Sequence, residues 1–204
     1  MSTDSAPPTT DDPLLAALGI EAGGRQHGEL AAACAPIARK IRDEGLRVVG
    51  FVPADDKVAV PPMLIQLGIS LTDLTGATVG VVDANVRYPG LPQVAKDQTT
   101  LHKDSVFSTR WLRGSLALLS PPRVERAGDV LPQLSRLLQE GRELFAHILV
   151  DLTGFEVLGE HTAAASYMDA VALVGRAHQT HERELVQLAD LMPKNRFLGV
   201  VLVG

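Results

Sequence analysis

Residues 46–71 read LRVVGFVPADDKVAVPPMLIQLGISL, and this stretch decides the fold. Leu46, Val48, Val49, Phe51 and Val52 make a short apolar run rich in β-branched and aromatic residues, the pattern of a strand buried on both faces. Pro61-Pro62 then opens a helical spacing of Met63, Leu64, Leu67, Leu71 and Leu74. Proline is tolerated there because a first-turn N–H has no intrahelical partner. Gly76 stops the helix, and Ala77 to Val82 (ATVGVV) reads as the next strand. A strand, a crossover helix and a second strand predict a parallel, right-handed βαβ unit.

Set without gaps on the nucleotide-binding domain of the bacterial tyrosine kinases (the CpsD/CapB family, relatives of the MinD/ParA ATPases), the stretch resembles VIGITSADPGEGKSTVAANLAIAL. Gly50, Ala54, Asp55, Leu67, Ile69 and Leu71 coincide. Val81-Val-Asp-Ala-Asn-Val-Arg-Tyr-Pro89 resembles the family's second acidic motif, hhDxDxRxP, and Ile148-Leu-Val-Asp151 resembles its Walker B strand. The last 36 or so residues, DAVALVGRAHQT through FLGVVLVG, are similar to the family's DGVLLVVRAGQT…LGVVLNG ending. The likeness covers roughly residues 46 to 204 in four ordered pieces. It implies a P-loop NTPase-like α/β fold: a doubly wound, mostly parallel sheet of about six or seven strands flanked by helices.

A phosphate-binding loop needs glycines for tight turning, backbone N–H groups aimed at phosphate, a lysine for the β/γ charges and a Ser/Thr for Mg²⁺. In this register the lysine position is Val60, the Ser/Thr pair is Pro61-Pro62, and the glycine positions are Lys57 and Ala59. No glycine stands between Phe51 and Pro62, and the three prolines there donate no hydrogen bond. Asp55 and Asp56 add charge of the sign that repels a triphosphate. Lys57 is a substitute cation three residues early. Asp83 is the family position that contacts Mg²⁺-bound water, Asn85 stands where a second acid is expected, and Asp151 is the Walker B carboxylate. Intact relatives use ATP and Mg²⁺. Here the resemblance leaves Lys57, Val60, Pro61, Asp83, Asn85 and Asp151 as vestigial positions, with no catalytic residue, nucleotide or metal expected. A carboxylate without its P-loop cannot organise phosphoryl transfer, which depends on charges positioned around the phosphates.

At 204 residues, 46% hydrophobic and 21% charged, the chain has the composition of one soluble globular α/β unit. No run reaches the roughly 18 apolar residues of a membrane span, and the amino terminus has no signal-peptide pattern. A net charge of −5 with no basic, aromatic-laced patch gives no hint of nucleic acid, and none is expected as a partner. The lone Cys34 excludes an internal disulfide and fits a reducing cytoplasm. Its alanine-rich setting makes it a small packed side chain. The six histidines show no metal spacing, and His178 and His181 flank a helix start, as residues of a solvated turn do.

Residues 1 to 24 are expected to be disordered, with one short apolar patch, Pro13 to Ile20 (PLLAALGI). Leu14, Leu15 and Leu18 of that patch are candidate contacts, either for a partner or for the body of the same chain. Residues 25–204 are expected to form one domain. Glu29 to Asp43 is a helix that Pro36 should kink or split. In the family the corresponding helix carries an E-x-x-R-x-x-R pattern that joins protomers into a ring. Here Ala32 and Ala35 follow Glu29, and Pro36 takes the glutamate place before Arg39 and Arg42, so oligomers of that type are in doubt. Residues 90–104 are polar and loop-like, and Val106 to Arg113, then Gly114, then Ser115 to Leu119 reads as a short hairpin or two strand pieces. Trp111 is either the cap of a core or the anchor of an interface. Further helices are expected from Asp129 to Phe145, Thr162 to Met168 and Glu182 to Met192, with strands at 147–152, 170–174 and 197–203.

The resemblance implies a cytoplasmic, catalytically inactive kinase-like scaffold or regulator of exopolysaccharide or capsule assembly. Its implied partner is a membrane chain-length (polysaccharide co-polymerase) protein or a glycosyltransferase complex, which would recruit it to the inner face of the membrane without insertion of its own. Two alternatives stay open. One is a ParA/MinD-like pseudo-ATPase that localises a pilus or secretion machine. The other is a residual ATP-binding kinase or ATPase using Lys57, Asp83 and Asp151.

Overall fold

The computed structural model describes residues 25–55, 57–85, 99–100, 108–112, 114–120, 130–155 and 159–203. Helix α1 (Arg25–Asp43) leads into strand β1 (Val48–Pro53), helix α2 (Val60–Thr75) and strand β2 (Val79–Asp83). The two-residue β3 (Thr99–Thr100) follows, then β4 (Ser108–Leu112), β5 (Leu116–Ser120), α3 (Val130–Leu144) and β6 (His147–Asp151). The chain continues through α4 (His161–Ser166), β7 (Ala170–Arg176), α5 (Glu182–Leu191), a 3-10 turn (Lys194–Arg196) and β8 (Phe197–Val203).

All eight strands form one sheet in the order β3-β4-β5-β2-β6-β1-β7-β8. From β5 through β8 every pairing is parallel, while β4 pairs antiparallel to β5 and β3 to β4. The doubly wound, mostly parallel sheet is therefore as the resemblance implies. The expected hairpin is present and turns at Gly114, whose φ of 73° suits a residue without Cβ. The segment expected to be loop-like contributes the two-residue β3, which raises the strand count to eight.

The strand calls for apolar cover on both faces, and helices supply it. β1 is buried at every position, its side chains pointing alternately into two cores. On one face Val49 and Phe51 meet Leu64, Leu67 and Leu71 of α2, over which α1 lays Cys34, Ala38 and Ile41. On the other, Val48 and Val52 meet Leu134 and Leu138 of α3, Ala164 and Ala165 of α4, and the partly buried Leu185 and Leu188 of α5. Those two leucines pack partly buried against this core, and Met192 beyond the helix end is buried in it.

α1 is one helix from Arg25 to Asp43, so of the two expected effects of Pro36 the split does not occur. Pro36 is exposed, as is Ala32, whose carbonyl loses its helical donor. Water can satisfy that carbonyl at the surface, so the missing bond does not end the helix. Arg39 and Arg42 are exposed on the same helix, and Arg42 pairs with its neighbour Asp43 at 2.7 Å. Residues 1–24, and with them Leu14, Leu15 and Leu18, lie outside the described residues, as do Arg87 to Pro89 and Asp129, the expected start of the helix that ends at Phe145.

Candidate functional site

Open α/β sheets bind ligands outside the carboxyl ends of strands where the winding reverses. Here β1 crosses through α2 to β2 in one direction, and β6 connects through α4 to β7 in the other. The carboxyl ends of β1, β2 and β6 therefore mark the candidate site. Asp83 ends β2, Asp151 ends β6, and the two are register partners on adjacent strands. Each is about 1% exposed. Asn85 and Thr153 are buried beside them.

Each acid is held by its own loop. Asp83 Oδ1 accepts the backbone N–H of Asn85 at 3.1 Å. Asp151 Oδ1 accepts both the N–H of Thr153 at 2.9 Å and its hydroxyl at 2.5 Å. Carboxylates so placed can hold a hydrated Mg²⁺ where phosphate oxygens complete its shell. Among the described residues no group of three or more His, Cys, Asp or Glu is placed to hold a metal by itself. His178 and His181 lie exposed in the turn before α5, as the spacing predicts, with His178 at φ 60°.

The loop from Ala54 to Val60 leaves β1 beside the end of β6, and four of its backbone donors go to protein acceptors. Ala54 N–H donates to Val174 O at 2.7 Å, and Lys57 N–H to Asp55 Oδ1 at 2.8 Å. Val58 N–H donates to Asp55 O at 3.4 Å and Val60 N–H to Val58 O at 3.1 Å. Pro61 and Pro62, at the start of α2, have no N–H to offer. An anion site at a helix amino terminus requires such groups to point outward together. Val60, at the family's lysine position, is fully buried in the core beneath α2, whereas Lys57 is exposed.

Arg176, at the end of β7, reaches this loop and pairs with Asp55 at 3.3 Å while also bonding Gln179. Sequence reading missed this tie, which joins residues 121 apart. Its one signal was the position of Arg176 inside the stretch that resembles the family's ending. A second unforeseen cluster anchors the opposite end of the sheet. Asp169 Oδ2 accepts the N–H groups of Arg47 and Val48, and Oδ1 accepts Arg142 at 2.8 Å. Arg47 in turn donates to the carbonyl of Arg142. Burial pushes the Asp169 carboxyl up, but the bonds from Arg142, Val48 and Arg47 and the charge of Arg142 outweigh it and hold the group below the usual carboxylate value.

Trp111 lies on β4, well away from the acids in strand order, 41% exposed, with its ring centroid 5.8 Å from that of Phe145. It thus covers one edge of the core while leaving a face to solvent.

The fold is shared with solved nucleotide-binding domains. The chain is similar to the VpsO kinase domain, with a TM-score of 0.72 at 17% identity over 87% of this chain and 95% of that one. It is also similar to the BceF tyrosine kinase domain, with a TM-score of 0.65 at 18% identity over 86% and 76%. A ParA family ATPase from Chlorobium tepidum matches with a TM-score of 0.59 at 17% identity over 76% and 73%. No protein-family model matches the chain, and no curated protein matches it in sequence. Among the described residues no helix is long and apolar enough to cross a membrane.

Proposed function

We propose that this chain is a non-catalytic, kinase-like scaffold or regulator in bacterial exopolysaccharide or capsule assembly. The observation that carries the reading is the loop after β1. Four of its backbone N–H groups are spent on Val174, Asp55 and Val58, and the next two residues are prolines. The residues present do not fit a triphosphate. Val60 cannot present a charge from inside the core, and the Asp55–Arg176 pair occupies the loop with a carboxylate. Asp83 and Asp151 keep their places because their bonds to Asn85 and Thr153 fix the loops that leave β2 and β6. They are positioned as loop anchors, and phosphoryl transfer has no donor site.

The process assignment rests on the sequence resemblance and is supported by the shared fold of the VpsO and BceF kinase domains. In this reading the α/β body is kept for its surfaces. The partner is the cytoplasmic part of a membrane chain-length protein or a glycosyltransferase complex, and it brings the chain to the inner face of the membrane. Titration calorimetry with ATP and Mg²⁺ tests the inactive half: no heat of binding is expected up to millimolar nucleotide. Micromolar binding that disappears in Asp83→Ala would overturn it. Co-purification with a membrane chain-length (co-polymerase) protein from cells of the native host tests the scaffold half, and a stable complex with a pilus or secretion motor instead would overturn that.

A further inference from the structure

β8 is an open edge of the sheet. It pairs with β7 on one side, and its sequence FLGVVLV carries no charge and no proline to protect the other. Val200 and Leu202 are 45% and 58% exposed. Beside them α5 buries no residue fully and leaves Val186 52% exposed. Between helix and strand lies a groove of about 530 Å³, its apolar wall made by Leu185, Val186, Ala189, Phe197, Val200 and Leu202. A groove of this size and character on an open edge is a surface that calls for cover.

We propose that residues 13–20 of the same chain, Pro-Leu-Leu-Ala-Ala-Leu-Gly-Ile, add a strand along β8 and fill this groove with Leu14 and Leu18, which fall on one face of an extended chain. Reach is the first argument. α1 ends in the short link to β1, and Cys34 Sγ lies 3.8 Å from Met63 O at the start of α2. The helix therefore runs opposite to β1, β7 and β8. Pro36, Ile37 and Lys40 flank Leu198 to Val201. The turns from Pro36 back to Arg25 cover about 17 Å at 1.5 Å per residue, against roughly 7–17 Å from residues 198–201 on to Val203 at about 3.3 Å per residue. Arg25 thus lies near the carboxyl end of β8. Residues 21–24 add a tether of up to about 14 Å, enough to turn residue 20 onto the edge.

Handedness is the second argument. Laid along β8, residues 13–20 would run in the same direction as the strand. The path from there through α1 to β1 then crosses the same face of the sheet, in the same direction, as β1 through α2 to β2. That is the favoured hand. Charge is the third. Residues 1–24 carry Asp4, Asp11, Asp12 and Glu21 and no lysine or arginine. In this orientation Asp11 and Asp12 fall at the beginning of β8, where Lys194 is exposed and Arg196 follows it. The inference is judged apart from the nucleotide test, since it reads exchange at residues 13–20 and β8; the groove meets the loop after β1 through Arg176, which lines it and pairs with Asp55.

Hydrogen–deuterium exchange on the full chain tests it. Amides of residues 13–20 are expected to exchange on the order of ten-fold slower in the wild-type chain than in Val200→Asp/Leu202→Asp. Reciprocally, Leu14→Asp/Leu18→Asp should speed exchange in β8 and α5. Val186→Asp, on the exposed face of α5, gives the same readout should the strand variant unfold. Both effects should survive ten-fold dilution of a monomer. Equal exchange of 13–20 in wild type and groove variants overturns the proposal. So does protection lost on dilution, which would put a second copy on the edge.

Discussion

Asp169→Ala should cost this fold about 1–4 kcal/mol. The carboxylate joins the beginning of β1 to the beginning of β7 and the end of α3. Val48 is fully buried, and its N–H loses its acceptor in the variant. An orphaned buried donor costs about 1–3 kcal/mol. Arg47 is exposed, so water replaces most of its bond. The Arg142 pair, with side chains 35% and 32% exposed, contributes no more than about 1 kcal/mol. Asp169→Asn keeps one oxygen for the two N–H groups and turns an amide toward Arg142, so roughly half the loss is expected. The charge adds a pH signature. The folded-state value of Asp169 lies below the unfolded one, so its contribution is complete above the unfolded carboxylate range near pH 4. It fades as pH falls through the folded value. Urea unfolding followed by circular dichroism should show a constant gap between wild type and Asp169→Asn from pH 7 to about 5 that narrows below about 4. An Asp169→Ala loss under about 0.5 kcal/mol, within the range of ordinary surface substitutions, would refute the reasoning. A gap that ignores acid would do so equally.

Gly68 of α2 packs against the sheet, and an added Cβ would stand 2.7 Å from Leu116 Cδ1 and 3.2 Å from Val81 Cγ2. Gly68→Ala gains helix propensity of up to about 1 kcal/mol yet overpacks by about 1–3, so net destabilisation in urea is expected and a stabilised variant would contradict the contact. Gly76 ends α2 in the left-handed region at φ 67° with open space around it; Gly76→Ala should cost about 1 kcal/mol from backbone strain alone, checked by the same unfolding curve. Burial pushes the Cys34 thiol up to about 12, so at pH 8 the native chain should react with iodoacetamide at least about a hundred-fold slower than the urea-unfolded chain. Equal rates would place the thiol at the surface.

The sequence alone determined the frame. The apolar run at 48–52, the helical spacing from Met63 to Leu71 and the strand runs at 79–82, 147–151, 170–174 and 197–203 each carry their own period, and period is a local property. The placement of Asp83 and Asp151 at strand ends was legible for the same reason, since each acid directly follows its apolar run. What lies in the loop between β1 and α2 was legible only as losses of glycine and lysine. That its amides bond Val174 and Asp55, and that Arg176 reaches back to the loop, depends on β7 lying next to β1, which no local pattern encodes. The Asp169 cluster and the exposed side of β8 were decided the same way. A hydrogen bond across 122 residues, or the strand left last at the edge, follows from how the sheet is wound. The chain's own periodicity fixes which elements form; only their packing order fixes which donors find acceptors and which apolar surface is left uncovered.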